Sequence, residues 1–278
     1  MKITFQKTTL LFALFISFLA FSQTNRFIYE FKYKKDSLAT TYDEGNMVLD
    51  ITGKKVQFYD FNAIKTDSTN RNSAGYTTYS FPFAKLQRNI SSGDNINYNL
   101  VAESYFAYNS SDKFNWIISK DTKTKNKWKL QKATTQFGGR TWEAWFTTDL
   151  PFSEGPYKFN GLPGLIVELK DSKNNFIFDL VKVENPQDAN PKLVETVFKS
   201  KPIIITFEKY NILLINYYND PFSRFRSMKP GTWSIGRADE TFIEDLEGLN
   251  KITKEEQEEI RKNNNPIELD KAIKYSKK

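Results

Sequence analysis

The first clear pattern in the chain is an alternation. Phe27, Tyr29, Phe31 and Tyr33 are separated by Ile28, Glu30 and Lys32, with Lys34 following, which is the period of a strand with one buried face. After a turn at Asp43-Glu-Gly-Asn46, the residues Met47, Leu49 and Ile51 repeat the pattern, and a tight turn at Thr52-Gly53-Lys54 leads into a third apolar run over residues 56–61. The chain is therefore predicted to open as an antiparallel meander. Residues 66–75, rich in Ser, Thr and Asn, and residues 91–95 read as loops. Residues 98–108 and 114–119 supply further strand material.

Residues 121–126 read as a polar turn, followed by a hairpin of residues 128–136 and 140–148 closed by Phe137-Gly138-Gly139. Trp142, Ala144 and Phe146 fall on one side of it, and Thr141, Glu143, Trp145 and Thr147 on the other. One tryptophan is expected in the core and the other at a groove or beneath a second layer; core burial is the plainer reading of each and a sugar-stacking platform the sharper one, with Trp145 a candidate contact residue. A second hairpin is predicted from residues 165–170 and 176–183 around Asp171-Ser-Lys-Asn-Asn175. Thr206 is placed to cap a helix whose Phe207, Tyr210, Leu214, Tyr217 and Tyr218 share a side, ending before Pro221. Thr253-Lys-Glu-Glu256 and Asn265-Pro-Ile-Glu268 each read as a capping box, so two short terminal helices are expected.

Glycines and prolines gather ahead of the second hairpin, at Gly155-Pro156 and in Gly161-Leu162-Pro163-Gly164-Leu165-Ile166. Pro163 and Gly164 suit the second and third positions of a type II turn, so the segment is predicted to specify a backbone corner. The hexapeptide resembles the signature of the GLPGLI family, exported Bacteroidetes proteins named after it and without an established activity. The resemblance extends to Lys132-Ala133, Gly139-Arg140, Ala144-Trp145, Pro151, Phe159, Asp171 and Asn265-Pro266-Ile267-Glu268-Leu269. Many members carry a cysteine before the Lys-Ala pair, where Leu130 stands here, so no role for a thiol is carried over.

The predicted order of elements gives an α+β fold, mainly antiparallel β-sheet with C-terminal helices. It resembles the curved half-barrel of bacterial lipoprotein carriers; a β-sandwich is the alternative. Residues 1–22 read as a signal peptide, 23–250 as the β-rich unit and 251–278 as a helical tail. Lys2 and Lys7 precede an apolar run over residues 10–21, and Ala20-Phe21-Ser22 offers a cleavage site that would leave Gln23 first. The expected address is the periplasm, the outer-membrane periphery or the exterior. No integral membrane span is expected in the mature chain.

Composition narrows the chemistry. The chain has no histidine and no cysteine, which excludes disulfides, the usual zinc, copper and iron sites and His-dependent catalytic sets. No cofactor or metal is expected. The net charge of +7, or +5 once Lys2 and Lys7 are removed, is spread among acidic residues, so a nucleic-acid partner is not expected. Phe222, Arg224, Phe225, Arg226 and Trp233 lie in a basic, aromatic segment that suits an exposed contact surface or a packed loop. The leading expectation is a non-enzymatic binding protein whose concave aromatic face holds an apolar ligand or a protein partner. A structural or docking component of the envelope is the second reading. The third is a hydrolase using a carboxylate pair such as Glu143 with Asp149, or Asp171 with Asp179.

Overall fold

The computed structural model describes residues 23–79, 81–229, 231–237 and 239–276; the expected signal peptide lies outside them. Strand β1, Thr24–Tyr33, is central and pairs antiparallel with β2, Asp43–Thr52, on one side and β11, Phe176–Glu184, on the other. From β2 the sheet continues outward through β3 (Lys55–Asp60), β4 (Lys85–Asn89), β5 (Asp94–Val101) and β6 (Ser104–Ser111). From β11 it continues through β10 (Leu165–Asp171), β9 (Arg140–Thr147), β8 (Trp128–Phe137) and β7 (Ile117–Lys125). A two-residue strand β12, Ile203–Ile204, adds in parallel to β6 and completes a 12-stranded open sheet. The sandwich alternative is thereby set aside: one long sheet carries the fold, and β7 and β12 are its separate edges.

The alternation read in β1 builds the core. Phe27, Tyr29, Phe31 and Tyr33 are buried, with the Phe31 ring stacked on Phe178 at a centroid distance of 4.3 Å. Met47, Leu49, Phe58, Leu86, Trp142, Ala144, Phe146, Leu169 and Phe176 extend this core face across the sheet. Over β2–β6 the opposite face is covered by two helices, α1 (Asn62–Asn72) and α2 (Leu193–Thr196), packed on Val48, Tyr59, Tyr98 and Tyr105. Over β7–β11 it carries alternating lysines and carboxylates around the half-buried Trp145, with Lys123 on Glu168, Lys125 on Asp179 and Lys132 on Glu143.

The structure departs from the sequence reading at several places. Residues 43–46 are the start of β2, and the connection from β1 turns earlier, over residues 35–41. Most of the polar stretch 66–75 is helical, because Asp67 and Asn70 find tertiary partners: Asn190 donates to Asp67, and Asn70 donates to the carbonyls of Thr77 and Val197. Residues 98–108 contain a hairpin turn at Ala102 and Glu103, both at positive φ. Strand β7 extends through Asp121 to Lys125, and its turn falls at Asn126.

Thr206 caps helix α3, Phe207–Asn219, as expected, its hydroxyl accepting from the Lys209 amide. After the short α4, Ser223–Arg226, and the ribbon of β13 (Ile235–Gly236) and β14 (Phe242–Ile243), helix α5 spans Leu246–Lys262. The capping box expected at Thr253 and Glu256 therefore does not start this helix. Asp245 is the cap, and Thr253 lies within the helix with its hydroxyl bonded to the Leu249 carbonyl, because Asp245 stands ahead of the amphipathic run that packs Leu249 and Ile252 inward. The second expected helix does not form either: residues 265–268 are non-helical, held by contacts to the sheet, and only a single 3-10 turn follows at Leu269–Lys271. The 250/251 boundary falls inside α5, and Ile267 belongs to the same core as the sheet. Among the described residues no helix is long and apolar enough to cross a membrane.

Candidate functional site

The hexapeptide closes a loop, residues 150–164, that crosses the core face of the sheet. Its backbone is held at several points: Gly161 donates to Ser153, Leu165 to Leu150 and Ile166 to Glu154, at 2.9, 3.0 and 3.0 Å. The Gly164 amide bonds the Leu162 carbonyl at 2.8 Å, which closes a three-residue turn about Pro163 in place of the expected type II turn. Leu162, Leu165 and Ile166 are buried, and Tyr29 donates its hydroxyl to the Ile166 carbonyl at 2.7 Å.

This loop fills the face expected to be an open aromatic hollow. Phe152 packs edge-on against Phe27 at 5.3 Å, and Phe159 sits 4.7 Å from Trp142 and 5.2 Å from Phe137. The loop's charges are paired as they are buried. Glu154 meets Arg88, though burial outweighs the arginine and raises the carboxyl pKa above its ordinary value. Lys158, fully buried, reaches Glu268 at 2.7 Å and Asp112 at 3.3 Å.

The C-terminal segment is fastened to the same face. Arg140 donates to the carbonyls of Ile267 and Pro266 at 3.0 and 2.7 Å, to Asn265 at 2.6 Å and to Asp171 at 3.2 Å. Gly138 lets this approach happen: a β-carbon there would stand 2.8 Å from the Glu268 α-carbon, and its carbonyl accepts from the Leu269 amide at 2.7 Å. Thus Gly139-Arg140, Asp171 and residues 265–269, far apart in sequence, meet at one place.

Over β5 and β6 the core face is roofed but not filled. Helix α3 lays Phe207 and Tyr210 on Tyr108, at 5.3 and 5.0 Å between ring centroids, and the C-terminal segment closes the side. Between them lies a cavity of about 330 Å³ walled by Tyr33, Phe83, Tyr108, Tyr157, Tyr210, Asn211 and residues 263–268. A second cavity of about 570 Å³ shares Pro82, Phe83, Asn99, Tyr210, Leu214 and Tyr275 with it and is also lined by Lys85. Burial lowers the Lys85 pKa against the opposing pull of Asp60, 3.2 Å away, which also accepts from the Tyr79 hydroxyl. Tyr33, the α3 stripe of Phe207, Tyr210 and Leu214, and Asn265-Pro266-Ile267-Glu268 were marked in the sequence as structural elements, but not as walls of one site.

The residues expected at an exposed contact surface mostly pack inward. Trp233 is buried with Leu249 and Ile252, Phe222 and Phe225 lie against that cluster, and Arg226 bonds Asp220, Asn250 and Thr253. Only Arg224 of this group is exposed, paired with Glu103. Trp145 stands half-buried on the opposite face of the sheet, with the Lys123 ammonium 4.3 Å from its ring centre. The carboxylate pair Asp171 and Asp179 is split between the two faces, Asp171 on Arg140 and Asp179 on Lys125. Glu143 is held by Lys132, which keeps its pKa below the ordinary value, and Asp149 is exposed.

Residues 94–168, from β5 into β10, match a family described as a protein of unknown function (Porph_ging). No curated protein matches the chain. Two crystal forms of PNGF-II, in space groups C2 and P21, are similar in structure, with TM-scores of 0.52 and 0.51 at 15% and 14% identity. Each covers 69% of this chain, and the chain spans only 32% and 33% of theirs, so the likeness is one of fold over about a third of those proteins.

Proposed function

We propose that the chain is an exported, non-enzymatic binding protein of the GLPGLI type whose ligand lies between the core face of β5–β6 and helix α3. The observation that supports this reading is the contrast along one face. Across β1 and β8–β11 the chain covers its own aromatics with Phe152, Phe159 and Leu162, whereas under α3 a lined cavity remains. Its volume and its mix of aromatic walls with a few polar groups suit a small ligand, for which sites of roughly 300–1,000 Å³ are usual. The export reading rests on Lys2, Lys7, residues 10–21 and Ala20-Phe21-Ser22, and the family reading on Gly161-Leu162-Pro163-Gly164-Leu165-Ile166.

Native mass spectrometry of protein purified from its own host, as wild type and as Leu214→Trp, tests the proposal. Leu214 borders both cavities, so the indole occupies ligand space. A small molecule retained by the wild type and absent from the variant is the expected result. A co-purifying protein unaffected by the variant would favour the docking reading instead.

A further inference from the structure

The cavity under α3 differs from an apolar hollow in the state of its tyrosines. Tyr157 commits its hydroxyl to Glu268, and in the adjoining larger cavity Tyr217 commits its own to Glu256. Tyr33, Tyr108 and Tyr210 line the cavity, and none of their hydroxyls is hydrogen-bonded to another described residue. The rings of Tyr108 and Tyr210 stand 5.0 Å apart, inclined by 32°, as two adjoining walls. Burial raises both phenol pKa values well above the ordinary one, so each hydroxyl keeps its proton and offers both a donor and an acceptor. Asn211, on the same helix as Tyr210, adds an amide. The charged groups beside them are already matched, Lys271 with Glu268 and Lys35 with Asp43.

Resting on the reading of this cavity as the ligand site, we infer that it takes a neutral carbohydrate, one sugar ring lying against Tyr108 and Tyr210 with its hydroxyls bonded to theirs and to Asn211. A pyranose has a C–H face that packs on an aromatic ring and a rim of hydroxyls that both donate and accept. A wholly apolar ligand would desolvate three phenolic hydroxyls without replacing their bonds to water, which is unfavourable. An anionic ligand would meet cations whose charge is already compensated by Glu268 and Asp43.

The test uses saturation-transfer NMR and calorimetry with a panel of neutral probes: the methyl glycosides of glucose, mannose, galactose and N-acetylglucosamine, and their disaccharides. The neutral apolar dye N-phenyl-1-naphthylamine is titrated in parallel. At least one sugar is expected to bind, and Tyr108→Phe with Tyr210→Phe, which keeps both rings, should weaken it about tenfold or more, as expected for two hydrogen bonds. Dye binding that Leu214→Trp abolishes, with no sugar bound, overturns the carbohydrate inference and leaves the cavity reading intact. Binding of neither probe overturns both. Sugar binding unaffected by the two Phe substitutions but lost in Trp145→Ala would overturn it too, placing the sugar on the opposite face of the sheet. Capture of a neutral peptide through Tyr108 and Tyr210, without sugar binding, would do the same.

Discussion

Gly164 and Thr147 meet backbone to backbone: a β-carbon on Gly164 would overlap the Thr147 carbonyl, 2.6 Å from its carbon, and stand 3.0 Å from the Thr148 α-carbon. Thr147 pairs with Leu165, so the overlap lies where β9 and β10 join. Gly164→Ala must therefore part the two strands or move the turn. Gly161, at φ +93 with open space around it, should tolerate alanine at about 1–2 kcal/mol, the cost of the conformation alone. Urea unfolding is expected to show a clearly larger loss for Gly164→Ala than for Gly161→Ala. Equal losses would mean that the contact with Thr147 relaxes freely.

Glu268 accepts from Tyr157 and Lys158, each at 2.7 Å, and from Lys271. Burial alone would raise its pKa, but these partners outweigh burial and hold it below 4.5. The unfolded carboxyl then binds protons more readily than the folded one, so this contribution is complete above about pH 4.5 and is lost as pH falls through the lower folded value. Glu268→Gln should cost about 1–3 kcal/mol at neutral pH, because Lys158 stays buried with Asp112 as its remaining carboxylate. Its stability should also fall less steeply with acidification than that of the wild type. Denaturant titrations across the acid range check both, and parallel acid limbs would count against the assignment.

Asp245, not Thr253, starts helix α5, its carboxylate accepting from the Gly248 amide at 2.7 Å. Asp245→Ala should lower stability by about 1 kcal/mol. Glu256→Ala should cost less, since it removes only a bond from Tyr217 at 3.2 Å. Thermal melts of the two variants should keep that order, and the reverse order would restore the capping box read from the sequence.

Much of the sheet was legible because turn chemistry and alternation agreed locally. Gly138 and Gly139, both at positive φ, turn the β8–β9 hairpin where the two glycines indicated, and the faces of Trp142 and Trp145 follow from the period of two. What was not legible depends on distant partners. Asp67 and Asn70 look like loop residues until Asn190 and Val197 are brought beside them. The turn at Ala102 and Glu103 has no residue that favours positive φ, so it carries no local signal. At the candidate site the same limit applies: nothing local to Phe152 or Phe159 says that they fill the face that β1 and β9 expose.

Arg140 uses its planar fork to hold the Pro266 and Ile267 carbonyls, Asn265 and Asp171 at once, and residues 263–268 form one wall of the cavity. Lysine keeps the charge but has no fork and cannot span these acceptors together. Burial pulls the Arg140 pKa down against Asp171, and the substituted ammonium would feel the same penalty with fewer bonds to offset it. Arg140→Lys is therefore expected to free residues 263–271 while the strands stay paired, since β9 pairs with its neighbours through backbone bonds. Hydrogen exchange should rise in that segment and remain slow in β1 and β10, and ligand retention should fall with it. Uniformly faster exchange across the sheet would instead make Arg140 a support of the whole fold, not of the cavity wall.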